Sequence, residues 1–267
     1  MARRSARLVP VSVVLAIVLG ASVWISRPTP VAASTESSMG QTILGLLNGD
    51  RASQGLVALR VDARLAGLAT NRALWMASTG TISHDSYGGA VFDAIAMVGV
   101  NAWSSAEAVG STNATFGSEA ASYLYGLWRG SPDHWAFMMS STFNYIGVGV
   151  GYRAGTAESF ASLVFAEAPD SSAPVAQMTG SGKSSRAVFF TWSGRDSQLQ
   201  THTAGLRDFD VQYRVDGGAW STIRTHTTAT QIILANRPAG HTYSVRIRDR
   251  DRRNNLSSWS SVRTVRV

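Results

Sequence analysis

LWRGSPDHWAFMMSSTFNYIGVGVG, residues Leu127–Gly151, holds a helix break, a histidine and a glycine-studded strand in one run. One helix is expected to end near Trp128–Gly130. Ser131-Pro132 starts another, with Ser as N-cap and Pro at the first helical position, where its missing N–H costs least. Asp133 falls in that first turn, where the helix dipole favours a negative charge. His134 follows directly. From Tyr145 to Tyr152, Gly alternates with Ile, Val or Tyr, the pattern of a strand that another backbone approaches closely. A second histidine, His84, lies just past an earlier helical stretch, in ASTGTISHD.

Outward from this run, the 267 residues, 45% of them hydrophobic, are enough for two domains that each bury a core. Cysteine is absent, which excludes disulfides, thiolate nucleophiles and cysteine-held metals. Residues 1–33 read as a signal peptide or an N-terminal anchor. Three arginines precede the apolar run Leu8–Ile25, and Val31-Ala32-Ala33 offers small residues for cleavage. The apolar run is near the lower limit for spanning a bilayer. Either reading places the remainder outside the cytoplasm, secreted or at the extracellular surface, with membrane contact only through an uncleaved anchor.

The net charge of +7 is unevenly shared. Residues 1–33 carry four arginines, residues 34–171 six arginines against eleven acids, and residues 172–267 fourteen basic residues against six acids. A mildly acidic domain is therefore joined to a basic one. Outside the cell, nucleic acid is not an expected partner.

Residues 34–40 form a Ser-rich spacer. Gln41–Ser53 has helical spacing, with Ile43, Leu44, Leu46 and Leu47 apolar. Asp62 is expected to cap a long helix that Gly80 stops, with Leu65, Leu68, Ala69, Ala73 and Met76 inward and Arg64, Asn71 and Arg72 off that face. Further helices are expected over Gly88–Val100 and Ser118–Leu127, and a last apolar strand over Ser159–Glu167. Helices that give way to a small sheet suggest α+β or a three-layer sandwich over residues 41–167. Residues 168–173 are a linker by composition. From 174 to 267 short strands alternate with turn residues such as Asp216-Gly217-Gly218, the grammar of an all-β sandwich.

Leu47-Asn48-x-x-Arg51, Gly55-Leu56-x-x-Leu59-x-x-Asp62-x-x-Leu65, Ala73, Met76-Ala77, Gly80 and His84 recur in order. Trp128-x-x-Ser131-Pro132-x-His134 and Ile146-Gly147-Val148-Gly149 complete the set. Together they resemble the bacterial branch of the CAP superfamily, also called SCP-like, which includes the cysteine-rich secretory, venom-antigen and pathogenesis-related proteins. The resemblance implies an α-β-α sandwich with a cleft lined by two histidines and two acids, where some members bind a divalent metal. His84 and His134 match the histidines. Glu107 matches the first acid, within Ala-Glu-Ala-Val where the family has Gly-Glu-Asn-Ile. The second acid falls at Ser131.

Two imidazoles and one carboxylate could hold an open zinc site with water in the fourth position, or serve as a general acid–base set. The plainer alternative has His84 capping a loop, His134 bonding across the helix restart, and Glu107 pairing with one of them. Ser131 is read as an N-cap rather than as a nucleophile, because Ser–His pairs meet through the fold rather than by adjacency.

Residues 174–267 resemble a fibronectin type III module, an Ig-like sandwich. Trp192 matches its core tryptophan, Pro238–Ile247 its tyrosine corner around Tyr243, and SSWSS around Trp259 the run before its last strand. Arg246, Arg248 and Arg250 alternate along one strand and share a face. They would form a polyanion-binding patch, or else lie on a solvated face, stacked on Trp220 and Trp259. The whole reads as an extracellular binding protein, a cleft plus a spacer or wall anchor, for a ligand such as lipid, peptide or cell-wall polymer. The rival reading is a hydrolase in which His84, Glu107 and His134 hold zinc-activated water.

Overall fold

The computed structural model describes residues 31–267, with side chains from 38 onward. Residues 1–30 of the leader expected over 1–33 lie outside the described residues. α1 (Val31–Ser53) buries Met39, Ile43 and Leu47, one helical turn apart. Residues 34–40 are therefore not a spacer but the first turns of this helix. They contain no proline, serine is only mildly averse to helix, and Met39 is drawn into the core.

β1 (Arg60–Val61) runs straight into α2 (Ala63–Thr79). Asp62 caps α2 by accepting from the Arg64 and Leu65 N–H groups, and Gly80 ends it in the left-handed region at φ 71°. α3 (Val91–Met97) is shorter than the helix expected over 88–100. Gly88 and Gly89 before it, and Gly99 after it, all have positive φ. β2 (Ser104–Thr112), α4 (Ser118–Gly130), α5 (Pro132–Met138), β3 (Tyr145–Arg153) and β4 (Glu158–Glu167) complete the first module.

Its sheet runs in the order β1-β3-β4-β2, with β1 parallel to β3 and the other neighbours antiparallel. Ile146, Leu163 and Phe165 face a layer made by α1, α4 and α5. Val164 and Ala166 face α2 and α3. Both sheet faces are covered, which is the expected α-β-α sandwich.

The glycines of β3 set how close α2 comes. A Cβ on Gly147 would fall 2.1 Å from the Leu65 carbonyl oxygen, one on Gly149 2.0 Å from the Ala69 carbonyl carbon, and one on Gly151 2.6 Å from the Ala73 oxygen. Every second strand residue thus meets every fourth helix residue. Two strand residues advance about 6.7 Å and four helical ones about 6 Å, so the two backbones stay in step over three contacts.

The second module is a sandwich of seven strands: β5 (Val175–Ser184), β6 (Ala187–Arg195), β7 (Leu206–Val215), β8 (Ser221–Thr227), β9 (Gln231–Leu234), β10 (Thr242–Asp251) and β11 (Arg263–Arg266). One sheet is ordered β11-β10-β7-β8 and the other β5-β6-β9. Trp192, Phe209, Val211, Tyr243, Val245 and Ile247 fill the space between them. Tyr243 is buried beneath the Arg237 guanidinium, but its hydroxyl makes no hydrogen bond among the described residues.

Residues 168–173 are not a solvated linker, because Ala168 and Asp170 are buried. Between β6 and β7, the loop of the second module inserts Leu199 into the cluster formed by Leu65, Leu68, Ile95 and Tyr145. Around it the Val57 N–H donates to Gln200 Oε1 at 2.6 Å and Asn144 Nδ2 to the Thr201 carbonyl at 3.2 Å. Composition marked a boundary, but the two modules share apolar core across it.

A methyl on β3 has nowhere to go, so G149A is expected to destabilise the chain by about 3 kcal/mol or more. G67A, on α2 with open space around it, is expected to stabilise by about 0.5–1 kcal/mol. Urea unfolding of both variants measures the contrast.

Asp249 lies on the inner face of β10 with neither carboxylate oxygen bonded, and burial pushes its pKa up to about 7 from 3.8. The folded chain therefore holds a proton there that the unfolded chain releases near 3.8. That contribution to stability is present below 3.8 and is lost as pH rises through about 7. D249N is expected to remove this slope in unfolding free energy measured against pH.

Candidate functional site

Arg72 enters α2 at the inward spacing Leu65–Leu68–Arg72–Met76 and is fully buried. The sequence reading set it off the apolar face, as its charge suggested, but the face is real and a partner waits within it. Nε donates to Glu107 Oε1 at 2.6 Å and Nη2 to Oε2 at 2.9 Å, a two-pronged arginine–carboxylate bond. The remaining donors go to loop carbonyls: Nη1 to Tyr87 at 2.8 Å and Gly89 at 2.9 Å, and Nη2 to His84 at 2.5 Å.

Glu107 projects from β2 toward α2 and is itself buried. Ser162 on β4 donates to its Oε1 at 2.8 Å, and His84 Nδ1 lies 3.0 Å from its Oε2. Thus His84 and Glu107 are in contact, as the positional match implies. The sequence reading missed Arg72 and Ser162. Helical periodicity alone would have turned Arg72 inward.

Ser131 occupies the N-cap position of α5, yet its hydroxyl makes no capping bond. It lies 2.8 Å from His134 Nδ1 instead. The expectation that capping would occupy this side chain is corrected, since residues three apart on a first helical turn are neighbours and the ring is the better partner. Burial holds the His134 pKa below the ordinary 6.5, the charge on nearby His84 lowers it further, and Asp133 opposes both. The two histidines do not share a partner. Each is held through Nδ1 by its own partner.

Arg246, Arg248 and Arg250 share the outer face of β10, as alternation requires. Arg246 stacks between Trp220 and Trp259, at 4.3 and 4.7 Å, and donates to Gln212. Arg248 stacks on Trp259 and pairs with Asp210 at 2.8 Å. Arg250 is nearly buried, pairs with Asp208 and Asp210, and touches His226. The acids that meet these arginines come from β7. Asp249 and Asp251 face inward.

The family model described as CAP, Cysteine-rich secretory protein family, matches residues 44–165. This segment is a CAP domain. Two similar structures are an extracellular SCP-domain protein of Bacillus anthracis and a cysteine-rich secretory protein of Staphylococcus aureus. The first is 25% identical over 49% of this chain and 41% of that one, with a TM-score of 0.43. The second is 22% identical over 49% and 39%, with a TM-score of 0.39. The chain thus spans less than half of either relative. A Fn3-like protein of Clostridium thermocellum matches 35% of this chain and 92% of its own, at 20% identity and a TM-score of 0.26. No curated protein sequence matches. Among the described residues, no helix is long and apolar enough to cross a membrane.

The divalent metal that the resemblance implies would need a free lone pair on Glu107. An ionised carboxylate offers about four lone-pair positions. Those of Glu107 already meet Arg72 twice, Ser162 and His84. A metal on Glu107 would have to displace one of them. Among the described residues, the group of three acids or histidines whose ligand atoms lie within 4.8 Å of one another is Asp170, Asp196 and Asp251, at the module junction. There, backbone N–H groups of Ala204, Gly205 and Asn255 tie the acids down. His84, Glu107 and His134 do not close to that spacing in the present arrangement of their side chains.

The unfolded chain binds the His134 proton at 6.5 and the folded chain only at lower pH. Unfolding in that window takes up a proton, so stability falls as pH drops through it. Ring-proton NMR is expected to place His134 below 6.5, and H134Q to flatten this part of the stability profile. S131A, which removes one part-buried hydrogen bond, is expected to cost about 1 kcal/mol.

Proposed function

We propose that the chain is a secreted or surface-tethered binding protein whose ligand site is the CAP cleft, lined by His84, Glu107, Ser131 and His134. The observation that carries this reading is the way both imidazoles are held. Glu107 and Ser131 each take a ring Nδ1, which leaves both Nε2 atoms to meet a ligand. The second module is a fixed support. Its docking through Leu199 and the internal pairing of its arginines favour that role over a polyanion patch.

The hydrolase reading asks for zinc-activated water held by three side chains, and the carboxylate of that set is already engaged by Arg72. The partner is an extracellular lipid, peptide or cell-wall polymer. The test incubates the full chain, in parallel with and without EDTA, with isolated cell-wall polymer, phospholipid vesicles or immobilised peptides. Retention on one of these, lost in the H84A/H134A double variant, is the expected result. Release of cleaved fragments that EDTA abolishes would overturn the reading.

A further inference from the structure

We infer that Arg72 is the positioning residue of the cleft, the built-in cation that fixes His84 with its Nδ1–H on Glu107 and its Nε2 lone pair toward the ligand. The inference rests on the cleft being the working site, but its test reads the protein with nothing bound.

A guanidinium has five N–H donors and no acceptor. All five of Arg72 are used, two on Glu107 and three on the carbonyls of His84, Tyr87 and Gly89. The same group therefore anchors the acid and the loop that carries the histidine. With Arg72 and Ser162 donating to it, Glu107 is the acceptor in each bond. Its remaining contact, 3.0 Å from Oε2 to His84 Nδ1, then needs a donor, which only the Nδ1–H form of the ring supplies. The opposite nitrogen is left as an acceptor on a side chain that is 62% exposed.

This choice has a consequence for what binds. A fixed Nε2 acceptor selects a group that donates, such as a hydroxyl, and disfavours one that can only accept. Arg72 touches no ligand. It acts through Glu107 and through the loop.

Imidazole nitrogen NMR on the full chain, at a pH where the rings are neutral, reads the tautomer directly. The wild-type His84 ring is expected to be protonated at Nδ1. A wild-type ring protonated at Nε2 would overturn the inference without any variant. In R72M the His84 ring is expected to lose its single tautomer, and amides 84–90 to exchange about tenfold faster or more, since the loop loses three carbonyl bonds. R72K keeps a cation against Glu107 but has only three donors for five acceptors. It is expected to retain the tautomer while losing loop protection. A folded R72M that keeps the wild-type tautomer, or an R72K that behaves as R72M, would leave Arg72 a structural residue only. Failure of the NMR test would leave the binding test standing, and loss of binding would leave the tautomer assignment standing.

Discussion

The absence of three side chains governs the first module. Gly147, Gly149 and Gly151 let α2 rest on β3 backbone to backbone, where ordinary side chains would hold a helix and a sheet about 10 Å apart. A helix seated this low brings residues of its inner face within reach of strands beyond the one beneath it. Arg72 lies one turn after Ala69 and directly before Ala73, and it reaches past Ser162 on β4 to Glu107 on β2. With a higher helix the guanidinium would stop short of Glu107, and a buried carboxylate would be left without its counter-charge. The glycine row is thus a condition of the cleft as well as of the packing.

Three of the buried ionisable side chains are handled in three ways. Arg72 has a carboxylate and carbonyls for every donor. Arg51 has only the carbonyls of Val57, Met138 and Ser140, keeps one nitrogen unpartnered, and is lowered to about 10 by burial. Asp249 has nothing and is pushed up to about 7. Burial without a partner disfavours the charged form, so the two isolated groups move toward neutrality. Arg51 still earns its place as a tie between α1 and the segment after α5. Asp249 has no such role, and Gly194 opposite leaves just the room its carboxyl occupies.

Much of the fold was legible because its signals are local. Asp62 and Gly80 bracket α2, Ser131-Pro132 restarts the chain into α5, and alternate glycines announce β3. What was not legible depended on partners far away in sequence. Arg72 reads as a surface residue until Glu107, 35 positions later, is placed opposite it. β5, VAQMTGSGKS, has two glycines and little apolar alternation, and is a strand because β6 pairs with it along its length. Residues 168–173 have the composition of a linker, and the Leu199 loop that buries their surroundings comes from the other module. The histidine and acid positions of the cleft were found by resemblance. The hydrogen bonds that give them roles needed the fold.

The second module shows why a count of charges is a poor map of a surface. Residues 172–267 carry eight more basic than acidic side chains, yet much of the β10 face is internally matched. Arg214 and Arg246 lie over Trp220, and Arg246 and Arg248 over Trp259, so that arginine and tryptophan alternate across the sheet. An indole face attracts a cation and covers its apolar flank at the same time. Asp208 and Asp210 then take the guanidinium edges of Arg248 and Arg250. A guanidinium held on its face by a ring and at its edge by a carboxylate has little of its field or hydrogen bonding left for a polymer. The ladder lies along β10, which ends at Asp251, and just beyond it the Asn255 side chain donates both to Asp251 and to the Asp170 carbonyl at the module junction. The outer face of one sandwich is thereby linked, through the end of β10, to the joint with the other module.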